Sequence, residues 1–259
     1  MGLDEVYSVI RWPMHPDDER ARRRFIGIKS FFNWAVKEGM IPENREIRVL
    51  DLCAGTGIAG AALADVLREW GYRVTLTVLD LRKEELELVE RWLEDEEDVE
   101  VLGAVKDCRE PLNFIRKQDV VLIWGLTMPH FDPFETARIM RNVASVLTSD
   151  GSFFIEEMDR VYSLFYRRRY KDIVVEEKDD EHTVISIDEG YDVKRGVVRR
   201  SYYELPGFKR MFEMESRLWD LAGLAGMGSI LFDDVRIITR DEHGVNGVAD
   251  VLLFRGPRH

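Results

Sequence analysis

Hydrophobic and polar positions follow a regular alternation from about residue 46 onward. Short runs dense in Val, Ile, Leu and Phe predict buried strands, because strands covered on both faces are apolar throughout. These strands are predicted at residues 46–52, 73–80, 99–105, 119–125 and 152–158. Between them, apolar residues recur at three- and four-residue spacing. That spacing predicts helices over residues 58–70, 83–94 and 133–147.

A different pattern follows Met158. Three β-rich segments separated by turn-like residues predict an antiparallel meander, and Gly196 suits the positive φ of a hairpin bulge. The segments are residues 171–178, 182–192 and 196–205. We therefore expect an inserted β lid over residues 160–207.

The two ends of the chain complete the predicted elements. The pattern predicts a helix over residues 17–39 and another over residues 208–227. Two closing strands, residues 232–240 and 249–256, are joined by a short loop that contains Gly and Asn. Because a short hairpin reverses the chain, the last strand should run antiparallel to its neighbour.

These elements define an α/β fold class. We expect a Rossmann-like, doubly wound, mostly parallel seven-stranded sheet with an antiparallel last strand, a small antiparallel β lid and an N-terminal helical cover. The expected domains are the cover at residues 1–45, the Rossmann-like domain at residues 46–159 and 208–259, and the lid at residues 160–207.

Composition narrows the class of protein. The 259 residues, 45% hydrophobic and 33% charged, can build one compact domain with an insertion. No run approaches the roughly 20 apolar residues that span a bilayer. The first residues also lack the apolar run of a secretory signal, so we expect a cytoplasmic protein.

Charge and cysteine content sharpen that expectation. The net charge of -12 counts against nucleic acid as the main partner, because phosphate binding depends on clustered positive charge. Cys53 and Cys108 supply neither a disulfide framework nor metal-ligand spacing, which agrees with a reducing interior and with no metal site. A single glutamine and many Arg and Glu residues suggest a thermophilic source.

The segment VLDLCAGTGIAG, residues 49–60, leads from a predicted strand directly into a predicted helix. Gly55, Gly57 and Gly60 satisfy the pattern G-x-G-x-x-G, and Asp80 follows at the end of the next strand. Such a loop lets a ligand approach bare backbone near a helix N-terminus. The arrangement predicts a cofactor that contains a nucleoside, and a nicotinamide dinucleotide is one candidate.

Two further acids bear on the choice of cofactor. Asp51 ends the first strand just ahead of the loop, where a carboxylate disfavours a pyrophosphate but suits a ligand with an ammonium and a sulfonium. Asp107 follows the third strand and could accept a hydrogen bond from an adenine amino group.

Taken together, these motifs resemble those of the class I S-adenosylmethionine-dependent methyltransferases. VLDLCAGTGIAG resembles the first motif, VLDLRKEEL the second and VKDCREPL the third, while QDVVLIWGLTMPHF and LTSDGSFFIEEMD resemble the fourth and fifth. The resemblance covers residues 46–158 and 232–256. Cys53 departs from it, since the family most often has its first glycine there.

The resemblance implies S-adenosylmethionine as cofactor and a role for each matching residue. Asp80 would bind the ribose hydroxyls, Asp107 the adenine amino group, and the glycine loop the methionine part. Either acid could instead cap the helix that follows it. The implied cofactor-binding residues are Asp51, Cys53, Ala54, Gly55, Thr56, Gly57, Asp80, Leu81, Asp107, Cys108 and Trp124.

The segment WGLTMPHF, residues 124–131, should lie beside the transferred methyl group. His130 titrates in the range of a general base and is the candidate catalytic residue, although it could equally cap or pack under the following helix. Thr127 is a candidate for contact with the acceptor.

Absent motifs and the insertion point to a small-molecule acceptor methylated on nitrogen or oxygen. The fourth motif lacks the D/N-P-P-Y/F tetrapeptide that accompanies methylation of base or glutamine amino groups, and neither cysteine follows a proline as in cytosine C5 methyltransferases. The candidate substrate residues are Tyr7, Trp12, Thr127, Tyr162 and Tyr203. Further aromatic residues could line the same pocket or pack in a core of their own: Phe31, Phe32, Trp34, Phe165, Tyr166 and Tyr202.

Three alternatives remain. One is an RNA or protein methyltransferase, because the basic clusters at residues 20–24 and 167–169 could bind RNA or an acidic substrate. The same clusters could instead be solvated faces paired with neighbouring acids. An NAD(P)-dependent oxidoreductase that uses GTGIAG is another. The third is a non-catalytic module that keeps the cofactor fold. We expect no nucleic-acid or membrane partner and either a monomer or a homodimer.

Overall fold

The computed structural model describes residues 12, 14–93, 99–168, 170–178 and 182–258 of the chain, without the side chains of residues 167 and 168. The chain divides into two compact units. The α/β unit comprises Pro13–Thr127, Ala137–Met158 and Leu221–His259, and the β unit comprises Met1–Trp12, Met128–Thr136 and Asp159–Asp220.

Strands form one sheet in each unit. In chain order they are β1 Glu46–Leu52, β2 Arg73–Asp80, β3 Val99–Val105, β4 Gln118–Ile123, β5 Leu147–Glu157, β6 Ile173–Lys178, β7 Thr183–Asp192, β8 Val197–Leu205, β9 Lys209–Arg217, β10 Phe232–Ile238 and β11 Asp250–Pro257. The α/β unit holds a seven-stranded sheet in the order β10-β11-β5-β4-β1-β2-β3. All neighbours in it are parallel except β11, which is antiparallel to both β5 and β10. The predicted fold class is confirmed.

The helices are, in chain order, α1 Glu19–Lys37, α2 Ile58–Glu69, α3 Lys83–Leu86, α4 Pro133–Val146, α5 Arg160–Tyr162, α6 Leu221–Gly228 and α7 Arg240–His243. Asp18 caps the N-terminus of helix α1, and its side chain accepts a hydrogen bond from the Arg20 backbone N–H. Its apolar face is buried, with Phe31 and Phe32 fully enclosed. These two rings pack on Trp124 and Phe154 in the core of the α/β unit, so they do not line a pocket.

The prediction of a helix over residues 83–94 is wrong in its second half. Helix α3 ends at Leu86, and a 3-10 turn covers Val89–Trp92. Leu86, Val89 and Trp92 are buried at intervals of three residues, which matches the three residues per turn of a 3-10 helix.

The β unit holds a four-stranded antiparallel sheet in the order β6-β7-β8-β9. The predicted meander forms its first three strands, and Gly196 has the expected positive φ, +68°. The prediction of a helix over residues 208–227 is wrong over its first part, because those residues form strand β9. This strand also extends the sheet beyond the expected boundary at residue 207. Phe212 of β9 lies opposite Tyr202 of β8, and the two rings stack at 4.5 Å. This cross-strand packing outweighs the helix propensity of the Lys, Arg, Met and Glu residues around it.

Candidate functional site

The carboxyl ends of the parallel strands of the α/β unit bring the predicted site residues together. Asp51 lies near the end of β1, Asp80 ends β2, and Asp107 lies in the loop after β3. Strand β1 pairs with both β2 and β4, so the loops that follow these strands emerge along one edge of the sheet. This edge is where open α/β sheets bind ligands.

The loop between β1 and α2 depends on glycine at its centre. Gly57 has φ +74°, and a Cβ atom there would lie 2.4 Å from Cγ2 of Val89. A Cβ atom on Gly60 would lie 2.7 Å from Cδ1 of Leu76 and 3.0 Å from Oδ2 of Asp51. The glycines therefore let the loop and the first turn of α2 pack closely on their neighbours.

Asp80 holds the glycine loop in place. Its side chain is 6% exposed, and its Oδ2 accepts a hydrogen bond of 2.8 Å from the Gly55 backbone N–H. Its Oδ1 accepts hydrogen bonds from the backbone N–H and the Nε of Arg82, at 3.0 and 3.1 Å. Asp80 thus joins the end of β2 to the loop after β1.

Asp51 differs from Asp80 because one of its carboxylate oxygens has no hydrogen-bond partner among the described residues. Its Oδ2 accepts a hydrogen bond of 2.8 Å from the Gly60 backbone N–H. Its Oδ1 is buried and has no hydrogen-bond partner among the described residues. Burial raises the pKa of Asp51 to about 7, against the effect of the Gly60 N–H, and the neighbouring Asp80 carboxylate raises it further. A buried acceptor without a donor is the arrangement expected where a ligand supplies one.

Asp107 is engaged by a neighbouring arginine. Arg109 donates to it from Nε at 2.9 and 3.0 Å, from Nη2 at 2.6 Å and from the backbone N–H at 2.9 Å. Hydrogen bonding to Arg109 lowers the pKa of the Asp107 carboxyl. Arg82 and Arg109 were not among the predicted site residues. The repeated pattern Asp-x-Arg after β2 and β3 is the sequence signal that could have found them.

The two cysteines also meet at this edge. Cys53 follows β1 directly with φ +57°, and its Sγ lies 3.4 Å from the Sγ of Cys108. They are 55 residues apart in the chain, so their spacing gave no indication of this contact.

The other predicted cofactor residues have varied surroundings. Thr56 is fully buried, donates a hydrogen bond of 2.5 Å to the Met14 carbonyl and accepts one of 3.2 Å from Nε1 of Trp92. Leu81 is 48% exposed. Trp124 is buried, and its ring centre lies 5.0 Å from that of Phe32 in the core.

A buried ion pair lies beside the end of β4. Glu156 is 3% exposed and accepts hydrogen bonds from the Gly125 backbone N–H at 2.9 Å and from Nη2 of Arg24 at 3.4 Å. Its other oxygen accepts a hydrogen bond of 3.0 Å from the Ala249 backbone N–H. Glu156 was not predicted as a site residue, although the acidic end of the fifth predicted strand was visible in the sequence.

The predicted acceptor and catalytic residues are divided between the units. Thr127 belongs to the α/β unit and donates a hydrogen bond of 2.8 Å to the Trp124 carbonyl. His130 belongs to the β unit, where it ends the 3-10 turn Met128–His130 and is half-buried.

Several predicted aromatic residues of the β unit stack on other aromatic rings of that unit. Tyr203 stacks on Phe208 at 4.5 Å, and Tyr162 stacks on Tyr166 at 5.7 Å. Trp12 is 39% exposed. Tyr7 lies outside the described residues.

The N-terminal basic cluster is tied to nearby acceptors. Arg20 pairs with Asp18, Arg23 with Glu19 and Arg24 with Glu156, while Nε of Arg22 donates to a backbone carbonyl. The side chains of residues 167–169 lie outside the described part of the chain. Within the described ranges, no group of three or more His, Cys, Asp or Glu residues could hold a metal ion, and no helix is long and apolar enough to cross a membrane.

Comparison with known proteins gives one family model that matches part of the chain and several similar folds. The family model of a methyltransferase domain matches residues 49–151. An S-adenosylmethionine-dependent methyltransferase from Clostridium acetobutylicum ATCC 824 has a similar structure, with 18% identity, a TM-score of 0.63 and 98% of each chain covered. None of the curated proteins matches the sequence.

Two similar structures come from enzymes with named classes of substrate. The sugar N-methyltransferase KedS8 from Streptoalloteichus sp. ATCC 53650 has 15% identity and a TM-score of 0.58, with 100% of this chain and 94% of that chain covered. The amino pentose methyltransferase CalS10 from Micromonospora echinaspora has 16% identity and a TM-score of 0.53, with 91% and 95% covered.

The strand order, the glycine loop and the matching family model agree on one class of fold. Residues 49–151 match the family model of a methyltransferase domain, and the chain has the fold of the class I S-adenosylmethionine-dependent methyltransferases.

Proposed function

We propose that this enzyme transfers the methyl group of S-adenosylmethionine to a nitrogen or oxygen of a small-molecule acceptor. The observation that carries the proposal is the buried Oδ1 of Asp51, an acceptor without a partner among the described residues, at the start of a glycine loop that Asp80 holds in place. A cationic ligand group would satisfy this oxygen and favour the charged form of the carboxylate.

The residues at the sheet edge fit the cofactor. Asp51 would face its ammonium group, the Gly55 to Gly57 backbone would border its methionine part, and Asp80 would bind its ribose hydroxyls. Asp80 and Asp107 now hold Arg82 and Arg109, so binding requires each carboxylate to share its oxygens with the ligand or to release the arginine. The exposed Leu81 would lie against the nucleoside.

When bound, S-adenosylmethionine supplies an electrophilic methyl group on a sulfonium, and the protein has to position a nucleophile and exclude water. Glu156 fixes the backbone at Gly125, and Thr127 is tied to the Trp124 carbonyl, so the segment after β4 is held in a defined conformation. His130 would accept a proton on a ring nitrogen from an acceptor that arrives protonated.

The small-molecule class is supported by the similar folds of a sugar N-methyltransferase and an amino pentose methyltransferase. Trp12, Thr127, Tyr162 and Tyr203 stay candidates for the acceptor site, as does Tyr7, and residues 160–207 stay a candidate lid. We further propose that the enzyme is cytoplasmic, a monomer or homodimer, and from a thermophile.

The alternatives fit the described residues less well. The arginines of the N-terminal cluster have acidic or carbonyl partners, which weakens the case for an RNA or acidic protein substrate. A nicotinamide dinucleotide would bring a pyrophosphate towards Asp51, and the antiparallel β11 between β5 and β10 departs from the strand order of dinucleotide-binding folds.

Isothermal titration calorimetry with S-adenosylmethionine and S-adenosylhomocysteine tests the cofactor. Binding of either supports the proposal, and failure of both to bind contradicts it. A parallel titration that follows NADH fluorescence separates the oxidoreductase alternative, which requires NADH to bind. Incubation with S-adenosylmethionine and a panel of amino sugars and their hydroxyl analogues, followed by mass spectrometry, would then identify methylated products.

A further inference from the structure

Cys53 and Cys108 lie in two different loops at the carboxyl edge of the sheet. Their sulfur atoms are 3.4 Å apart. A disulfide bond has an S–S distance of about 2.05 Å, so the sulfurs would need to approach each other by roughly 1.4 Å. Small movements of side chain and loop can supply this distance.

We propose that Cys53 and Cys108 form a reversible intramolecular disulfide that lowers the affinity of the cofactor site. The second half of this proposal rests on the proposed function, because it assumes that the loop after β1 binds the cofactor. The first half rests on the contact between the two thiols alone.

The two cysteines have different roles in the exchange. Cys53 is partly exposed and Cys108 is buried, so a small disulfide such as oxidised glutathione reaches Cys53 first. The Cys53 thiolate attacks one sulfur of oxidised glutathione, whose S–S bond breaks to release one glutathione thiolate and leave a mixed disulfide.

Cys108 completes the exchange. Its thiolate attacks the Cys53 sulfur, forms the protein disulfide and displaces the second glutathione. In total, two protein thiols are oxidised, and their two electrons and two protons reduce one oxidised glutathione to two thiols. The second step is favoured because the attacking sulfur already lies beside its target.

The environment makes this exchange slow. The hydrogen bond with Cys108 and burial raise the pKa of the Cys53 thiol, so little thiolate is present near neutral pH. The pair is therefore expected to respond to a lasting oxidising condition and not to a brief one, and it should be measured at equilibrium.

The surroundings indicate which loop moves. The carbonyls of Cys108, Arg109 and Glu110 all accept hydrogen bonds from Nδ2 of Asn142, at 3.2, 3.2 and 2.8 Å, so the Cys108 loop is anchored to α4. Cys53 and the loop that begins there therefore make most of the movement that brings the two sulfurs together. Movement of that loop strains the hydrogen bond from Gly55 to Asp80.

Mass spectrometry tests the disulfide. The full chain is incubated with oxidised glutathione until no further change occurs, unfolded, and treated with N-ethylmaleimide. We expect the oxidised protein to take up no N-ethylmaleimide, to have lost two hydrogen atoms, and to give one cross-linked peptide pair that contains residues 53 and 108. The reduced protein should take up two N-ethylmaleimide groups.

Single variants provide the matched control. Cys53→Ser and Cys108→Ser each keep one cysteine, which should carry glutathione or react with N-ethylmaleimide but cannot form an internal disulfide. Wild-type protein that keeps two reactive thiols, carries two glutathiones, or forms only links between chains under the same conditions would overturn the proposal.

Calorimetry with S-adenosylhomocysteine tests the effect on the site. We expect oxidation to weaken binding by about tenfold or more, since displacement of a binding loop by about 1 Å has effects of this size, and dithiothreitol should restore it. The affinity of Cys53→Ser, whatever its value, should not change on oxidation, because its one remaining cysteine, Cys108, is buried and has no partner cysteine. Unchanged affinity in fully oxidised wild type overturns the second half. Failure of the reduced protein to bind would contradict the proposed function and leave the disulfide result intact.

Discussion

Three carboxylates at one sheet edge fall into two kinds of environment. Asp80 and Asp107 each contact an arginine two residues further along the chain, whereas Asp51 has one buried oxygen without a partner among the described residues. Hydrogen bonding to Arg109 lowers the pKa of Asp107, so that carboxylate stays ionised without a ligand. Asp51 is the one whose charge depends on what binds beside it.

Replacement of Asp80 by Asn should weaken cofactor binding. The variant loses charge-assisted hydrogen bonds worth about 1.5–3 kcal/mol, so the dissociation constant of S-adenosylhomocysteine should rise by roughly 10- to 150-fold. Isothermal titration calorimetry measures this change directly.

Asp234→Asn is the matched control for Asp80→Asn. Asp234 also pairs with an arginine two residues on, Arg236, at 2.8 Å, but it lies on β10 away from the glycine loop. Its replacement should leave the affinity unchanged. Equal affinity in wild type and Asp80→Asn would remove Asp80 from the site.

The free energy of unfolding should depend on the pH through Asp51. Its pKa is raised from 3.8 to about 7 in the folded protein, so the folded state keeps a proton that the unfolded state loses. The contribution of Asp51 to the free energy of unfolding is fully present below about pH 4. It falls as the pH rises from about 4 to about 7 and stays low above that.

Urea denaturation of wild type and Asp51→Asn between pH 4 and pH 8 measures this effect. Asparagine does not titrate, so the difference in stability between the two proteins should shift in favour of the variant as the pH rises. Parallel pH profiles for the two proteins would show that Asp51 does not carry a raised pKa.

At the scale of the elements, close packing of the loop after β1 requires glycine. Gly57→Ala should destabilise the protein because its Cβ atom would lie 2.4 Å from Val89. Gly71 also has a positive φ, +85°, but no atom lies within 4 Å of the position of its Cβ. Gly71→Ala is thus a control for backbone strain alone.

We expect Gly57→Ala to lower the free energy of unfolding by about 1–3 kcal/mol more than Gly71→Ala does, which is the usual effect of overpacking. Urea denaturation gives both values. Equal losses in the two variants would mean that the loop accommodates the extra methyl group.

Strand β9 offers a second test at this scale. Phe212 and Phe208 each stack on a tyrosine at 4.5 Å, but Phe212 is 7% exposed and Phe208 is 55% exposed. Phe212→Ala should therefore cost about 3 kcal/mol or more, and Phe208→Ala about 1 kcal/mol or less. Thermal and urea denaturation followed by circular dichroism would reveal the difference, and a larger loss in Phe208→Ala would contradict the packing of β9.

At the scale of the whole molecule, the proposed cofactor residues all belong to the α/β unit. A ligand that binds only the folded state stabilises it, by about 2.7 kcal/mol at a concentration of 100 times the dissociation constant. S-adenosylhomocysteine should therefore raise the melting temperature of the protein in differential scanning calorimetry, while NADH should not. A shift with NADH alone would favour an oxidoreductase.

Much of this protein can be predicted from local sequence. The strands that end in Asp51 and Asp80 and the glycine loop between β1 and α2 follow from apolar runs and turn residues, because these signals act over a few neighbouring positions. The acids fall at strand ends that a parallel sheet must bring to one edge. Local signals failed where tertiary packing competes with propensity, as in β9, whose residues favour a helix but pair with β8.

The sequence by itself determined the class of fold, the glycine loop after β1 and the carboxylates beside it, since periodicity and spacing encode these directly. Only the tertiary structure decided which side chains meet across long separations. The contact of Cys53 with Cys108, the pairing of Arg24 with Glu156 and the unpartnered oxygen of Asp51 are of this kind. They depend on how distant segments pack, and no spacing along the chain specifies that geometry.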